Sequence, residues 1–328
     1  MIHVSATYVV RDIGSFNFWI GNILDSIARI GVPIFVMISG KLMLDEDYEF
    51  SKKKLIEHIS KMIIFFLFWS GVYCLIFNVA YPIIKHKDIN IMYVIGEFIK
   101  GYYHLWFVYL IIGLYLIVPL LRLWVKNENK RYIEYFIILS IIFTYIIPQI
   151  IAIGSNYSMF FAYLNDIIEK NLQLKYVGGY TTYFILGWYI HNYDIKHKKI
   201  IYFLGTLGLI VSIIGTYILS ASTGKVQQMY ENLSINVLFQ SVAIFIFIKE
   251  RFINKNDINN KLVMNIARNS LVIYAIHVLI ITIIYNVLEK IKVDNAIIII
   301  PIVFLLSFCI SYIISVICSK ISCLKKVV

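Results

Sequence analysis

Long apolar runs alternate with short polar segments along the whole chain. Nine of these runs approach or exceed the roughly 20 residues that a helix needs to cross the hydrocarbon core of a bilayer. They cover residues 16–44, 56–81, 104–124, 132–153, 177–193, 200–220, 232–248, 265–289 and 293–318. A further apolar stretch, residues 1–10, is too short to span a bilayer alone. The pattern predicts an all-α protein, a polytopic transmembrane helical bundle.

The composition excludes soluble and disordered proteins. Hydrophobic residues make up 60% of the chain and charged residues 15%, with a mean hydropathy of +0.79. Soluble domains have about 45–50% hydrophobic and about 25% charged residues. The few charged residues of this chain could not cover the surface of a soluble protein. The net charge of +11 does not indicate nucleic acid, because Lys and Arg fall between the apolar runs and accompany no readout motif. The predicted partner is the lipid bilayer.

The positions of Lys and Arg predict an orientation, because cytoplasmic loops of membrane proteins carry an excess of both. We take residues 1–10 as the end of a first span that runs outward. The segments that then face the cytoplasm are 45–54, 126–131, 194–199, 249–261 and the C-terminal tail. They carry sixteen Lys and Arg, against eight in the opposite loops. This orientation implies about ten spans, with the first one truncated and most of it preceding residue 1.

Ionisable residues at membrane depth are costly and are therefore candidates for function. The run 16–44 contains Asn22, Asp25, Arg29 and Ser39, whose spacing places them on one stripe of a helix. Asp25 precedes Arg29 by four residues, close enough for the two to pair. Two interpretations stay open: an ion pair that only locks two helices together, or charges that face an aqueous or substrate cavity.

The run 104–124 has a similar stripe, with His104 at one end, Tyr115 in the middle and Arg122 at the other end. Under the predicted orientation, His104 lies near the outer face and Arg122 near the cytoplasm. His104 is close to Trp106 in sequence, so it is equally compatible with the aromatic belt at a membrane interface.

His277 lies well inside a later run, one turn after Tyr274, and His3 lies in the apolar segment at the start. A single His in a bundle is as compatible with a helix contact as with catalysis. No metal site is expected, because the four cysteines form no CxxC pair. These are Cys74, Cys309, Cys318 and Cys323. The sequence also lacks the motifs GxSxG, GxxxxGK[ST], GxGxxG and HExxH.

Three of the runs contain longer motifs: NILDSIARIGVPIFVMISG at 22–40, HLWFVYLIIGLYLIVPLL at 104–121 and ARNSLVIYAIHVLII at 267–281. In this order and spacing they resemble the integral-membrane acyltransferase 3 family over nearly the whole chain. The most similar branch is that of the enterobacterial common antigen O-acetyltransferase. The resemblance implies a single membrane-embedded acyltransferase domain over residues 1–328, with its first span incomplete at the N-terminus.

The resemblance also implies roles for individual residues. MIHVSATYVV at 1–10 is similar to the end of the family's first span, and His3 occupies the position of a His taken as essential. His3 is therefore expected to act as the general base, and Arg29 to stabilise the oxyanion or hold a phosphate of the acyl donor. The residues expected to bind substrate are Asp25, Ser39, His104, Trp106, Tyr115, Arg122 and His277. Ile111 and Ile112 stand where other branches often carry Glu.

The function implied is O-acyl transfer, most simply of an acetyl group from acetyl-CoA to a hydroxyl of a cell-envelope polysaccharide or its lipid-linked precursor. Acetyl-CoA is expected as a co-substrate, with no bound cofactor, and the protein is expected in the bacterial cytoplasmic membrane. Succinyl transfer is the nearest alternative. A transporter or flippase for a lipid-linked glycan, and a membrane assembly partner without chemistry, are the alternatives from other classes.

Overall fold

The computed structural model describes residues 1–126, 130–172, 178–252, 260–291 and 295–320, and within these ranges it contains helices and no strand. The α-helices, numbered α1 to α15, are Ile2–Val9, Phe16–Ala28, Gly31–Leu44, Lys52–Cys74, Tyr81–Ile84, Ile91–Lys100, Trp106–Lys126, Lys130–Ser140, Ile147–Gly154, Met159–Ile167, Gly179–Asn192, Lys198–Thr223, Ile235–Phe252, Lys261–Ile291 and Ala296–Lys320. Three π-helical segments are Leu75–Ala80, Ile141–Ile146 and Ile168–Leu172. The prediction of an all-α polytopic bundle is confirmed.

Seven helical stretches in the described part of the chain are long and apolar enough to cross a membrane. They are Phe16–Leu44, Lys52–Ile84, Trp106–Lys126, Lys130–Gly154, Lys198–Thr223, Lys261–Leu288 and Ala296–Lys320. The runs predicted at 177–193 and 232–248 form α11 and α13, which are not among the seven. Helix α11 has 14 residues and is only about 21 Å long, and the last turn of α13 is charged.

Two short helices occupy segments that the hydropathy pattern left between spans. Helix α6 lies between the second and third runs, and α10 lies between the fourth and fifth. Neither was predicted, because 10 and 9 residues are too few to stand out as membrane runs. Cys323, Lys175, Lys292 and the C-terminal tail lie outside the described residues.

Prolines explain the irregular stretches of two membrane helices. Pro82 follows the π-helical segment Leu75–Ala80, and Pro148 follows Ile141–Ile146. A proline lacks the N–H for the regular bond, and its ring collides with the carbonyl four residues earlier. Widening the preceding turn to the π pattern relieves this collision and keeps nearby carbonyls bonded. Accordingly, the N–H of Tyr81 reaches back five residues to the carbonyl of Ile76.

A third proline breaks the run at 16–44 into α2 and α3. Pro33 cannot donate to the carbonyl of Arg29, which is four residues earlier, so the regular bonding pattern is interrupted there. The backbone N–H groups on either side do bond regularly, from Arg29 to Asp25 and from Ile34 to Ile30, at 3.0 Å each. The predicted single stripe is therefore carried by two helices, and Arg29 lies at the junction between them.

The chain divides into two compact units. The first comprises residues 1–48, 118–258 and 295–300, and the second comprises 49–117, 259–294 and 301–328. In the first unit α1 packs on α2, α2 on α12, α3 on α11, and α12 on α13. In the second unit α4 packs on α6, and its core is strongly aromatic, with Phe65, Phe66, Trp69 and Tyr73 buried.

Helices α3 and α11 of the first unit approach each other through a pair of glycines. A Cβ added to Gly40 would lie 1.8 Å from the carbonyl oxygen of Phe184, and one added to Gly187 would lie 1.9 Å from that of Met37. Both positions therefore require glycine. Small residues at such crossings let the helix backbones come into direct contact, which is the main attraction available between helices in lipid.

The outer surface is apolar, as a bilayer requires. Large hydrophobic side chains point outward from most of the long helices. Examples are Phe35, Leu42, Leu116, Leu120, Ile214 and Ile313, each between 47% and 68% exposed. In a soluble protein such a surface would aggregate, whereas in a bilayer these side chains contact lipid tails.

We expect Gly187→Ala to destabilise the first unit, because the added methyl group collides with a backbone carbonyl that cannot move without separating α3 from α11. Overpacking of this kind costs about 1–3 kcal/mol. The measurement is the thermal unfolding midpoint of the purified protein in detergent.

Gly113→Ala is the matched control, because a Cβ at that position meets no described atom within 4 Å. An unfolding midpoint for Gly187→Ala equal to that of the control would contradict the close approach of α3 and α11.

Candidate active site

A carboxylate and a guanidinium form an ion pair at the junction of α2 and α3. The Asp25 side chain is fully buried, and the Arg29 side chain is 16% exposed. Nη2 of Arg29 lies 3.0 Å from Oδ2 of Asp25. The predicted pairing is therefore present. The Arg29 side chain is thus partly exposed, whereas its partner is not.

Helix α1 supplies a second partner for the carboxylate. The hydroxyl of Ser5 donates to Oδ1 of Asp25 at 3.1 Å, so each carboxylate oxygen accepts a hydrogen bond. Gly21 of α2 permits this approach, because a Cβ there would lie 2.8 Å from the Cβ of Tyr8. His3 is half-buried on α1, about 200° around the helix from Ser5. The side of α1 that reaches Asp25 is thus the one with Ser5.

The loop between α12 and α13, residues 224–234, supplies further contacts to the guanidinium of Arg29. Nη2 of Arg29 donates to Oε1 of Gln228 at 3.3 Å, and its guanidinium carbon lies 4.9 Å from the centre of the Tyr230 ring. The aromatic face attracts the cation, and the burial of Tyr230 strengthens that attraction. The loop thereby fixes the direction of the guanidinium.

This loop is itself held firmly against α12. The backbone N–H of Gln227 donates to the hydroxyl of Ser220 at 2.9 Å, and that of Met229 donates to the hydroxyl of Thr216 at 2.9 Å. These two bonds flank Gln228, so they hold the backbone from which its side chain extends towards Arg29. Gln228 also borders a cavity of about 440 Å³ within the first unit.

Two polar atoms near the pair are buried and have no hydrogen-bond partner among the described residues. They are Nε of Arg29 and Oδ1 of Asn22. The amide nitrogen of Asn22 donates to the carbonyl of Ile213 at 2.8 Å, so its orientation is fixed. A buried polar atom without a partner is costly and is often explained by a bound group. The Arg29 centre is thus able to bind an additional acceptor, such as an oxyanion.

The second unit contains a separate cluster of rings around His104. His104 is 2% exposed, and its ring lies 5.5 Å from that of His277 at an interplanar angle of 87°. The ring of Tyr73 lies 5.1 Å away and that of Tyr274 5.4 Å away. The two histidines that the sequence placed in different runs are therefore neighbours.

Backbone carbonyls fix the tautomers of both histidines. Nδ1 of His277 lies 2.6 Å from the carbonyl oxygen of Tyr274, and Nε2 of His104 lies 3.3 Å from that of Ala275. A carbonyl oxygen can only accept, so these nitrogens carry the protons. In the neutral rings, the lone pairs are then at Nε2 of His277 and Nδ1 of His104.

A tyrosine hydroxyl is inserted beside these rings. The hydroxyl of Tyr73 donates to the carbonyl of Ala275 at 2.7 Å and accepts from the N–H of Leu279 at 3.1 Å. Those two backbone groups would bond to each other in a regular α-helix. The hydroxyl of Tyr274 donates to the carbonyl of His104. Tyr274 therefore ties the segment around His104 to α14, and Tyr73 ties α4 to α14.

The remaining predicted residues lie in different settings. Trp106 is 40% exposed at the start of α7, which agrees with a position in the aromatic belt. Tyr115 is half-buried and its ring lies 6.4 Å from that of His58. Ser39 is half-buried in α3.

Arg122 closes the end of α3. Its Nη1 donates to the carbonyls of Met43 at 2.8 Å and Asp45 at 2.9 Å, and its Nη2 donates to that of Tyr48 at 3.2 Å. The last carbonyls of a helix lack partners within the helix, and a cation near that end also interacts favourably with the helix dipole. Arg122 thus has a clear structural role at the end that the charge rule places in the cytoplasm.

Several residues of these centres could not be identified from the sequence alone. Ser5, Gln228 and Tyr230 contact the ion pair, and Tyr73 contacts His104. Each is an ordinary polar or aromatic residue far from its partner in the chain, and no local pattern distinguishes it from its neighbours. The tight loop at 224–234 between two apolar runs was the only available signal for Gln228 and Tyr230.

A comparison with known protein families finds one match. The model of an acyltransferase domain family matches residues 1–316, nearly the whole chain. No curated protein and no solved structure gives a significant match. The match extends over both units and over every residue discussed in this subsection.

We expect Arg29→Gln to cost about 3 kcal/mol of stability, because it leaves the fully buried carboxylate of Asp25 without its counter-charge. The double variant Asp25→Asn with Arg29→Gln removes both charges and should be more stable than Arg29→Gln alone. The measurement is the thermal unfolding midpoint of each single variant and of the double variant, treated as a double-mutant cycle. Additive losses in the double variant would show that the two side chains are not coupled.

Arg122→Lys should lower the unfolding midpoint although it keeps the charge. A lysine ammonium cannot reproduce the fork of donors that reaches three carbonyls, and hydrogen bonds from charged groups contribute about 1.5–3 kcal/mol. Lys61→Arg, an exposed exchange of the same two residue types on α4, serves as the control. Equal midpoints for Arg122→Lys and the wild type would contradict the capping role.

Proposed function

The chain belongs to this acyltransferase family, and we propose that it transfers an acetyl group from acetyl-CoA to a hydroxyl of a cell-envelope polysaccharide or of its lipid-linked precursor. The proposal includes the cytoplasmic membrane of a bacterium as its location. One observation carries it: a partly exposed Arg29 side chain, paired with a buried carboxylate, in a chain that matches an acyltransferase family over residues 1–316.

The chemistry explains why a held cation is useful. The oxygen of the acceptor hydroxyl attacks the carbonyl carbon of the thioester, and negative charge develops on the carbonyl oxygen. The carbon–sulfur bond then breaks, the ester forms, and CoA leaves as a thiolate that takes up a proton. A cation fixed in advance at the developing oxyanion lowers this barrier, and it is most effective where water is excluded. Arg29 is the residue we assign to this role, and Asp25 positions it.

A base must also remove the proton of the attacking hydroxyl. We assign this role to His3, because imidazole titrates near neutral pH and because the segment 1–10 resembles the family's first span. The base is expected to pass its proton to the leaving thiolate, so that no net proton is gained or lost by the enzyme.

The other residues predicted from the sequence are proposed to contact the acyl donor or the acceptor. We propose that His104, Trp106, Tyr115 and His277 contact one of the substrates. We also propose a substrate contact for Ser39, which belongs to the first unit. Arg122, at the end predicted to be cytoplasmic, is proposed to attract the phosphates of acetyl-CoA in addition to capping α3.

The acyltransferase assignment favours an enzyme over a flippase or a passive assembly partner. Within the family, the motif HLWF at 104–107 supports the branch of the enterobacterial common antigen O-acetyltransferase. Acetyl and succinyl donors would use the same oxyanion chemistry, so the donor has to be identified by experiment.

The test is transfer of label from radioactive acetyl-CoA in membranes that express the protein. We expect label to enter a glycan fraction with the wild type and to be lost in Arg29→Ala and His3→Ala. His197→Ala is the matched control, because this histidine is exposed beside the start of α12.

The outcomes separate the alternatives. Transfer from labelled succinyl-CoA but not from acetyl-CoA would replace the donor and keep the reaction. Absence of transfer from either donor, with the protein present in the membrane, would overturn the proposal. Full activity of His3→Ala would remove His3 as the base without affecting the assignment of Arg29.

A further inference from the structure

A cavity with many polar residues among its lining residues lies in the first unit and shares Gln228 with the Arg29 centre. Its volume of about 440 Å³ falls within the usual range for small-molecule sites. Its wall is formed by α9, α10, the start of α11 and the loop 224–234. The charge rule places this loop on the side of the membrane away from the cytoplasm.

Side-chain amides dominate the polar lining. The amide residues are Gln149, Asn156, Asn165, Gln227, Gln228 and Asn232. Each amide has both a donor group and an acceptor oxygen, and so does each hydroxyl of a sugar. A lining of this kind suits a ligand with many hydroxyls better than one that offers only acceptors, such as a phosphate.

Two of these amides are held in fixed orientations. Oε1 of Gln149 accepts from the N–H of Ile235 at 2.7 Å, and its Nε2 donates to Oδ1 of Asn236 at 2.9 Å. Nδ2 of Asn232 donates to the hydroxyl of Tyr180 at 3.1 Å. Fixed polar groups lower the cost of ordering a site when a ligand binds.

The charges of the lining are all negative. Glu169 and Glu231 are exposed residues of the lining, and no Lys, Arg or His belongs to the lining residues that the structure describes. Like charges repel at this range even when water partly screens them. The multiple phosphates of CoA are therefore disfavoured here, and so is a sugar acid.

Gln228 connects the cavity to the ion pair. This residue lines the cavity and accepts the hydrogen bond from Nη2 of Arg29 at 3.3 Å. A ligand hydroxyl that contacts Gln228 in the cavity would therefore be separated from the guanidinium of Arg29 by the Gln228 side chain. This guanidinium is the group that we propose to stabilise the oxyanion. The cavity is thus in the right place for an acceptor.

We propose that this cavity binds the acceptor sugar, and that it selects a neutral or amino sugar over an acidic one. The inference rests on the proposed function, since it names the acceptor class of the same reaction. It adds a site, formed by the amides and the two glutamates, that the sequence motifs do not include.

The experiment measures direct binding of three probe sugars to the purified protein in lipid nanodiscs, by saturation-transfer NMR. The probes are glucosamine, N-acetylglucosamine and glucuronic acid. We expect the wild type to bind the first two and to bind glucuronic acid about threefold more weakly, as exposed charges allow. The double variant Glu169→Lys with Glu231→Lys should reverse the order of glucosamine and glucuronic acid, with a change of about tenfold in their affinity ratio, as expected for exposed ion pairs.

The matched control is Asp12→Lys with Asp194→Lys. It makes the same change in net charge at two exposed residues of the first unit that do not line the cavity. The control should keep the wild-type order of the three sugars. Hydrolysis of labelled acetyl-CoA in the absence of acceptor, measured in parallel, should be the same in both double variants.

The outcomes distinguish this inference from the proposed function. If no probe binds the wild type, or if the cavity variant keeps the wild-type order, the inference is wrong even when label transfer to glycan occurs. If the order reverses as expected but no acyl group ever reaches a glycan, the cavity is a sugar site and the proposed reaction is wrong. Slower hydrolysis of acetyl-CoA by the cavity variant than by the control, with unchanged sugar binding, would indicate that the cavity binds the acyl donor. This result would contradict the inference.

Discussion

The fully buried carboxylate of Asp25 imposes the strongest physical constraint on the first unit. A charge at this depth is tolerated only with a counter-charge and hydrogen bonds to its remaining lone pairs. Arg29 supplies the charge and Ser5 supplies a hydrogen bond, so α1 must pack directly against α2. Arg29 in turn needs partners, and the loop 224–234 provides Gln228 and Tyr230. One ion pair thus determines the positions of two helices and one loop.

Prolines shape the membrane helices around this pair. In lipid, a backbone carbonyl that loses its partner cannot be compensated by water, so a local adjustment of the helix at a proline helps to bond it again. Pro33 divides the run at 16–44 and places Arg29 at the junction, where its side chain can meet groups from outside its own helix. Pro82 and Pro148 instead produce π-helical turns. At these three positions the same residue type therefore gives a break between two helices in one place and a widened turn in two others.

Each unit contains one polar centre with a distinct chemical capability. The first has the guanidinium of Arg29, whose side chain is partly exposed, and a cavity with many amides in its lining. The second has two neighbouring imidazoles whose proton positions are set by backbone carbonyls, and two tyrosine hydroxyls that bond to backbone groups beside them. The match to an acyltransferase family extends over both centres.

The sequence by itself determined the fold class, the approximate helix positions, the Asp25–Arg29 pair and the family, because hydropathy, i to i+4 spacing and motifs are local properties of the chain. The close pairing of His104 with His277, the contacts of Ser5, Gln228 and Tyr230, and the capping of α3 by Arg122 were decided only by the tertiary structure. These contacts join residues up to about 200 positions apart. Their partners are common polar or aromatic residues whose importance depends on helix packing, and helix packing in turn depends on features such as the Gly40–Gly187 crossing, which hydropathy does not encode.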